Sequence, residues 1–149
     1  LITADTNIFV YASDPSEPFK QAIATQVILA LVLLQAPIAL QLVGELQNVL
    51  RRKLRIDARS AVERAGKVLS TFDCFPSSAK AVALALDQAA SGRLSYWDAL
   101  MLASAREAGC TTFITEDLQD GARPFGLEIV NPFGPAGPSP RIRELLDLT

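Results

Sequence analysis

Apolar and polar positions follow two rhythms along this chain: short apolar runs that stop at turn-forming residues, and longer stretches with helical spacing. Leu1 to Ala4 is a short apolar run that stops at Asp5-Thr6-Asn7, residue types that favour turns and helix starts. A strand feeding a helix is predicted there, with Asp5 at the strand's C-terminal end. Pro15 to Pro18 reads as a loop, and a helix follows to about Leu34. Its last part, Val27 to Leu34, is apolar without interruption, which predicts burial nearly all round. Pro37 to Leu40 reads as a second strand; Leu42, Leu46, Val49 and Leu50 then recur at helical spacing with Glu45 at the stripe's edge. Further helices are predicted over Ala58 to Phe72, over Ser78 to Ser91 with Gly92 as the stop, and from Ser95 to a stop at Gly109. Strands are predicted at Cys74 to Pro76, Thr111 to Thr115 and Leu127 to Val130, and Asn131-Pro132 closes the pattern.

Strands and helices alternate with short connections, which predicts the α/β class: a central, mostly parallel β-sheet flanked by helices in three layers. Functional sites in such folds form beyond the C-terminal ends of the strands. The chain has 149 residues, half of them apolar, enough for one domain with one substantial core. That domain is expected over residues 1–133, followed by a Gly/Pro linker and a short helical tail over 134–149, with an amphipathic helix from Pro140 to Leu148. No internal repeat is visible.

Composition narrows the chemistry. There is no histidine, which removes the usual imidazole base, every Ser-His-Asp or Cys-His arrangement and His-ligated zinc. Hydrolysis would rest on carboxylates. A net charge of −2 and a pI near 5.1 weigh against a protein that coats nucleic acid by charge alone. Cys74 and Cys110 lack CxxC spacing and suit small buried residues in a reducing cytoplasm. The most apolar stretch, Ala22 to Val43, is broken by Gln26, Gln35, Pro37 and Gln41, so no membrane association is expected. No basic residue precedes Lys20, so no signal-peptide n-region is visible.

Four acids stand out. Asp5 follows a strand and starts a helix, where an N-cap is the ordinary role. Ser95-Tyr96-Trp97-Asp98 imitates a capping box, with the acid three residues after the cap. Glu45 borders an apolar stripe, where an unpaired carboxylate is costly, and Asp117 follows a strand and suits a turn. The separate readings do not explain why acids recur at strand ends and helix starts that a parallel α/β fold brings together. Crowded carboxylates repel unless a cation neutralises them, and Mg²⁺ or Mn²⁺ is the natural oxygen-bound partner.

Asp5-Thr6-Asn7, Gln41-Leu42-Val43-Gly44-Glu45, Ser95-Tyr96-Trp97-Asp98-Ala99 and Thr115-Glu116-Asp117-Leu118-Gln119-Asp120-Gly121 together resemble the acidic signature of PIN domains, in the same order. The words around them, Asn48-Val49-Leu50 with Arg51-Arg52-Lys53-Leu54 and Ile129-Val130-Asn131-Pro132-Phe133, are similar to VapC-type toxins of type II toxin-antitoxin systems. The resemblance spans nearly everything up to Phe133. It implies a PIN-like fold and a metal-dependent endoribonuclease leaving 5′ phosphate and 3′ hydroxyl ends. It assigns Asp5, Glu45, Asp98 and Asp117 to catalysis and metal, with Thr6, Asn7, Thr115 and Asp120 in support. A VapB-like antitoxin is implied as partner.

Seven of the fourteen Lys and Arg residues lie between Arg51 and Lys67. A solvated helix face is the ordinary reading, yet Arg52 lies two turns after Glu45 on the same side, and Arg51, Arg52 and Arg55 are candidates to guide an RNA backbone. Trp97 beside a helix start is ordinarily a core residue, although it suits base stacking. The Val27 to Leu34 run suggests a homodimer if one domain cannot cover it. A housekeeping PIN nuclease and a non-catalytic PIN-like scaffold binding RNA or protein remain open alternatives. A phosphoacceptor domain of the dehalogenase type would want a second Asp where Asn7 stands, and flap nucleases normally need elements for which this length leaves little room.

Overall fold

In the computed structural model, which describes residues 1–149, the first apolar run forms β1 (Ile2–Ala4) and the chain enters α1 (Thr6–Ala12) directly. The abrupt change is local chemistry: Asp5 is extended and its side chain accepts the Thr6 N–H, capping α1. After the Pro15–Pro18 loop, α2 (Pro18–Leu33) leads to β2 (Ile38–Ala39) and α3 (Leu40–Arg52). Then come α4 (Ala58–Thr71), β3 (Cys74–Phe75), α5 (Ala79–Ser91), α6 (Tyr96–Glu107), β4 (Thr112–Ile114), a 3₁₀ turn at Pro124–Gly126, β5 (Glu128–Val130) and α7 (Pro140–Leu146). Gly92 ends α5 in the left-handed region at φ 70°, where a Cβ would be strained.

All strand pairs are parallel, as the alternation predicts, but they form two sheets: β1-β4-β5 and β2-β3. β4 sits centrally, with Ala4 opposite Ile114 and Ile114 opposite Val130. The Asp5 N–H continues the ladder to Ile114 O at 2.8 Å, and the Thr115 N–H does the same to Val130 O at 3.0 Å. This register sets Asp5 and Thr115 side by side at the C-terminal edge. Helices cover the sheet around a continuous core that includes Ile8, Leu31, Leu42, Leu102 and Phe113.

The expectation that α2 is enclosed needs correction. Val27, Ala30 and Leu31 are buried, but Leu29, Val32, Leu33 and Leu34 are exposed, Leu33 by 85 %. The apolar run covers both sides of the helix, and only one has a neighbour within the chain. Trp97 also departs from the core reading, being 60 % exposed. The segment after Phe133 is packed: α7 contributes Ile142 and Leu146 to the main core, and Arg141 grips Glu128 of β5 through two hydrogen bonds of 2.7 and 2.9 Å. Cys110 is buried, Cys74 half-buried, and neither forms a disulfide.

Candidate active site

At the C-terminal edge of β1 and β4, Asp5, Glu45, Asp98 and Asp117 all line one cleft of about 1010 Å³. Each arrives on a different element. Asp5 ends β1, Glu45 lies in the middle of α3, Asp98 sits in the first turn of α6, and Asp117 follows β4. At α6 the cap uses the Ser95 hydroxyl, which accepts the Asp98 N–H at 3.1 Å and so leaves that interaction independent of the Asp98 carboxylate.

Thr115 organises the edge. Fully buried, its hydroxyl donates to Asp5 Oδ2 at 2.8 Å and accepts from the Asp117 N–H at 3.1 Å and Asn7 Nδ2 at 3.0 Å. The Asn7 amide nitrogen also lies 3.3 Å from Asp5 Oδ2 and 3.0 Å from Asp117 Oδ2, so one side chain spans two of the acids. Thr6 acts twice: its N–H donates to Asp5 Oδ1 at 2.7 Å and its hydroxyl to Glu45 Oε2 at 2.7 Å. Gln41, one turn before Glu45, donates to the other Glu45 oxygen and to the Trp97 carbonyl, tying α3 to the start of α6.

Not every sequence candidate reaches the cleft. Asp120 is exposed and accepts the Asn131 N–H at 2.8 Å, fastening the loop after β4 to the end of β5 instead. Of the basic candidates, Arg52 lines the cleft, joined by Lys53, whereas Arg51 and Arg55 lie outside it. The four carboxylates do not converge into a three-ligand cage; the Glu45 oxygens face Thr6 and Gln41 rather than Asp5.

Electrostatics nevertheless favour a cation. Burial pushes the Asp5 carboxyl from an ordinary 3.8 up to about 7, against the lowering effect of Thr115 and Thr6, and the charges of Asp98 and Asp117 push it further up. A buried carboxylate facing two others fits a hard divalent cation, and the available ligands are all oxygens. The pH dependence follows in sign. Because Asp5 holds its proton more tightly folded than unfolded, its contribution to metal-free stability is present below pH 3.8 and is lost as pH rises through about 7. The melting temperature gained on adding Mg²⁺ to chelated protein is therefore expected to be larger at pH 8 than at pH 5.5. Asp5→Asn should flatten that difference; an unchanged pH slope in the variant would remove Asp5 as its source.

A cluster that the sequence pattern did not flag stands behind the Asp117 loop. Lys20 of α2 pairs with Glu116, reaches the Tyr11 hydroxyl at 3.3 Å, and lies over the Tyr11 and Phe133 rings at 4.8 and 5.4 Å. Tyr11 also donates to Glu116. The only signals available in the sequence were the lone basic residue between two prolines and an aromatic at each end of the domain. Replacing Lys20 by Met leaves Glu116 half-buried without its cation, which is expected to cost about 1–3 kcal/mol. Mg²⁺ affinity should fall with it as the Asp117 loop loosens, while Lys20→Arg should recover both; urea melts with and without metal check this. Unchanged affinity in a destabilised Lys20→Met protein would confine the cluster to stability.

Fold and site together define an α/β domain with an acidic cleft at the C-terminal edge of a parallel sheet. The PIN domain family profile matches residues 2–119, and the chain belongs to that family. No curated protein matches it in sequence. Among solved structures it is similar to a toxin-antitoxin complex from Klebsiella pneumoniae, with 22% identity, a TM-score of 0.60, and coverage of 89% of this chain and 98% of that one. It is similar to the sarcin-ricin loop cleaving toxin VapC20 of Mycobacterium tuberculosis, with 17% identity, a TM-score of 0.56, and coverage of 76% and 87%. VapBC2 from Rickettsia felis, bound to a promoter DNA fragment, is also similar, with 19% identity, a TM-score of 0.58, and coverage of 86% and 96%.

Proposed function

We propose that this chain is a metal-dependent endoribonuclease of the VapC type, a cytoplasmic toxin silenced by a VapB-like antitoxin. The observation that carries the reading is the gathering of Asp5, Glu45, Asp98 and Asp117 in one cleft with Arg52 and Lys53 beside them. The similar structures, two toxin-antitoxin assemblies and a sarcin-ricin loop cleaving toxin, support the toxin assignment. No helix is long and apolar enough to cross a membrane.

Asp5, Glu45, Asp98 and Asp117 would hold the cation, Mg²⁺ or Mn²⁺, through their carboxylate oxygens. A divalent cation held there supplies Lewis acidity toward water and toward the scissile phosphate. Thr115 and Asn7 fix the spacing of Asp5 and Asp117, and Thr6 orients Glu45. Arg52 and Lys53 neutralise the phosphates on either side of the cut, with Arg51 and Arg55 further along the same basic stretch. An antitoxin Arg or Lys entering the cleft would pair with the carboxylates and compete with metal. A second copy of the chain covers the exposed Leu29, Val32, Leu33 and Leu34, making a homodimer.

The test is to express the chain alone and with its neighbouring gene product, following growth and RNA integrity, and to repeat both with Asp5→Ala. Growth arrest with RNA cleavage is expected for the wild type alone, relieved by the neighbour or by Asp5→Ala. A harmless chain that still cuts RNA in vitro would replace the toxin with a housekeeping nuclease; a folded, metal-loaded chain that cuts no RNA would remove both.

A further inference from the structure

The chain has a single tryptophan, Trp97, and it is 60 % exposed. Leaving so large an aromatic surface in water forfeits burial that a core position would supply. The residue lines the acidic cleft, next in sequence to Asp98 and on the same cleft as Glu45, Arg52 and Lys53. It is also held in place. The Tyr96 ring meets it edge-on at 4.9 Å and 82°. Its carbonyl accepts from Gln41 Nε2 at 3.0 Å, and the same nitrogen donates to Glu45. One amide thus locks the backbone of Trp97 to an acid of the site.

Rooted indole, carboxylates and cations on one cleft match the three parts of a nucleotide at a cut: base, scissile phosphate and flanking phosphates. A base stacks on an aromatic face only when that base is free of its own helix. An apolar protein partner would want apolar surface continuous with Trp97, whereas most residues lining this cleft are polar. We infer that Trp97 is a stacking platform for the base adjoining the cleaved bond, a contact that requires this base to be unpaired. The inference rests on the nuclease reading above and deepens it.

Because Trp97 is the only indole, its emission reports stacking directly. The protein is titrated with a mixed-sequence single-stranded oligoribonucleotide and with the same strand paired to its complement, in Ca²⁺ and with RNA integrity checked. Quenching by the single strand and little by the duplex is expected. In Mg²⁺, Trp97→Ala should raise KM for single-stranded RNA about tenfold, the equivalent of losing one base stack, with kcat within about twofold and the melting temperature unchanged. Trp97→Phe should restore KM. RNA that binds and is cut with no change in emission, or an unaltered KM in Trp97→Ala, overturns the inference and leaves the nuclease intact. Emission that shifts with protein concentration or antitoxin but not with RNA assigns Trp97 to a protein interface and overturns it too. If the wild type neither binds nor cuts RNA, the nuclease reading falls with it.

Discussion

Replacing Asp98 by Asn is expected to reduce RNA cleavage by more than about a hundredfold while leaving the fold intact. Loss of a group that merely orients a metal ligand already costs about 10- to 100-fold, and Asp98 faces the cleft as a ligand candidate itself. The substitution keeps shape and backbone, so the Ser95 hydroxyl still accepts the residue 98 N–H and α6 still starts there. What is lost is one of the charges that push Asp5 up. Metal affinity, measured by calorimetry, should fall together with cleavage. A well-folded Asp98→Asn protein that cuts RNA at the wild-type rate would take this residue out of the site.

The largest effect on stability is expected from cutting the chain after Phe133. Ile142 and Leu146 would leave the core, where truncating one such side chain costs about 2–5 kcal/mol. Two of them approach the whole stability of a typical domain, about 5–15 kcal/mol. The Arg141 grip on Glu128 and the Ser139 hydrogen bond to Asn131 O at 2.7 Å would go as well. The shortened chain is expected to be largely unfolded or aggregated. In the full chain, Ile142→Ala should lower the urea midpoint by the equivalent of about 2–4 kcal/mol. Wild-type stability in Ile142→Ala would contradict the packing of α7.

Legibility in the sequence depended on whether the controlling physics was local. Strand ends, helix caps and the Gly92 stop are local, and the parallel alternation follows from them, so Asp5, Asp98 and Asp117 are legible at strand ends and a helix start, and Glu45 at the edge of an apolar helical stripe, positions that the fold does gather. The apolar run in α2 says which residues avoid water but not which side of the helix finds a neighbour, and half of it is exposed. The direction of Asp120, three residues beyond Asp117, depends on where Asn131 lies after β5. Lys20, Tyr11, Glu116 and Phe133 meet across the whole domain without any periodic pattern, and the role of Gln41 depends on the start of α6 lying against α3, where Gln41 donates to the Trp97 carbonyl.

Whether these four acids form a metal-dependent RNA-cutting site is decided most directly by cleavage as a function of added metal. Purified protein is stripped with chelator, dialysed, and given single-stranded RNA with increasing Mg²⁺ or Mn²⁺, and the new RNA ends are identified. No cleavage is expected without metal, with saturable recovery on its return. The products should carry 5′ phosphate and 3′ hydroxyl ends, and Glu45→Gln should show no recovery. Full cleavage by the chelated protein, or by Glu45→Gln at equal metal, would rule out a metal-dependent site built on these acids.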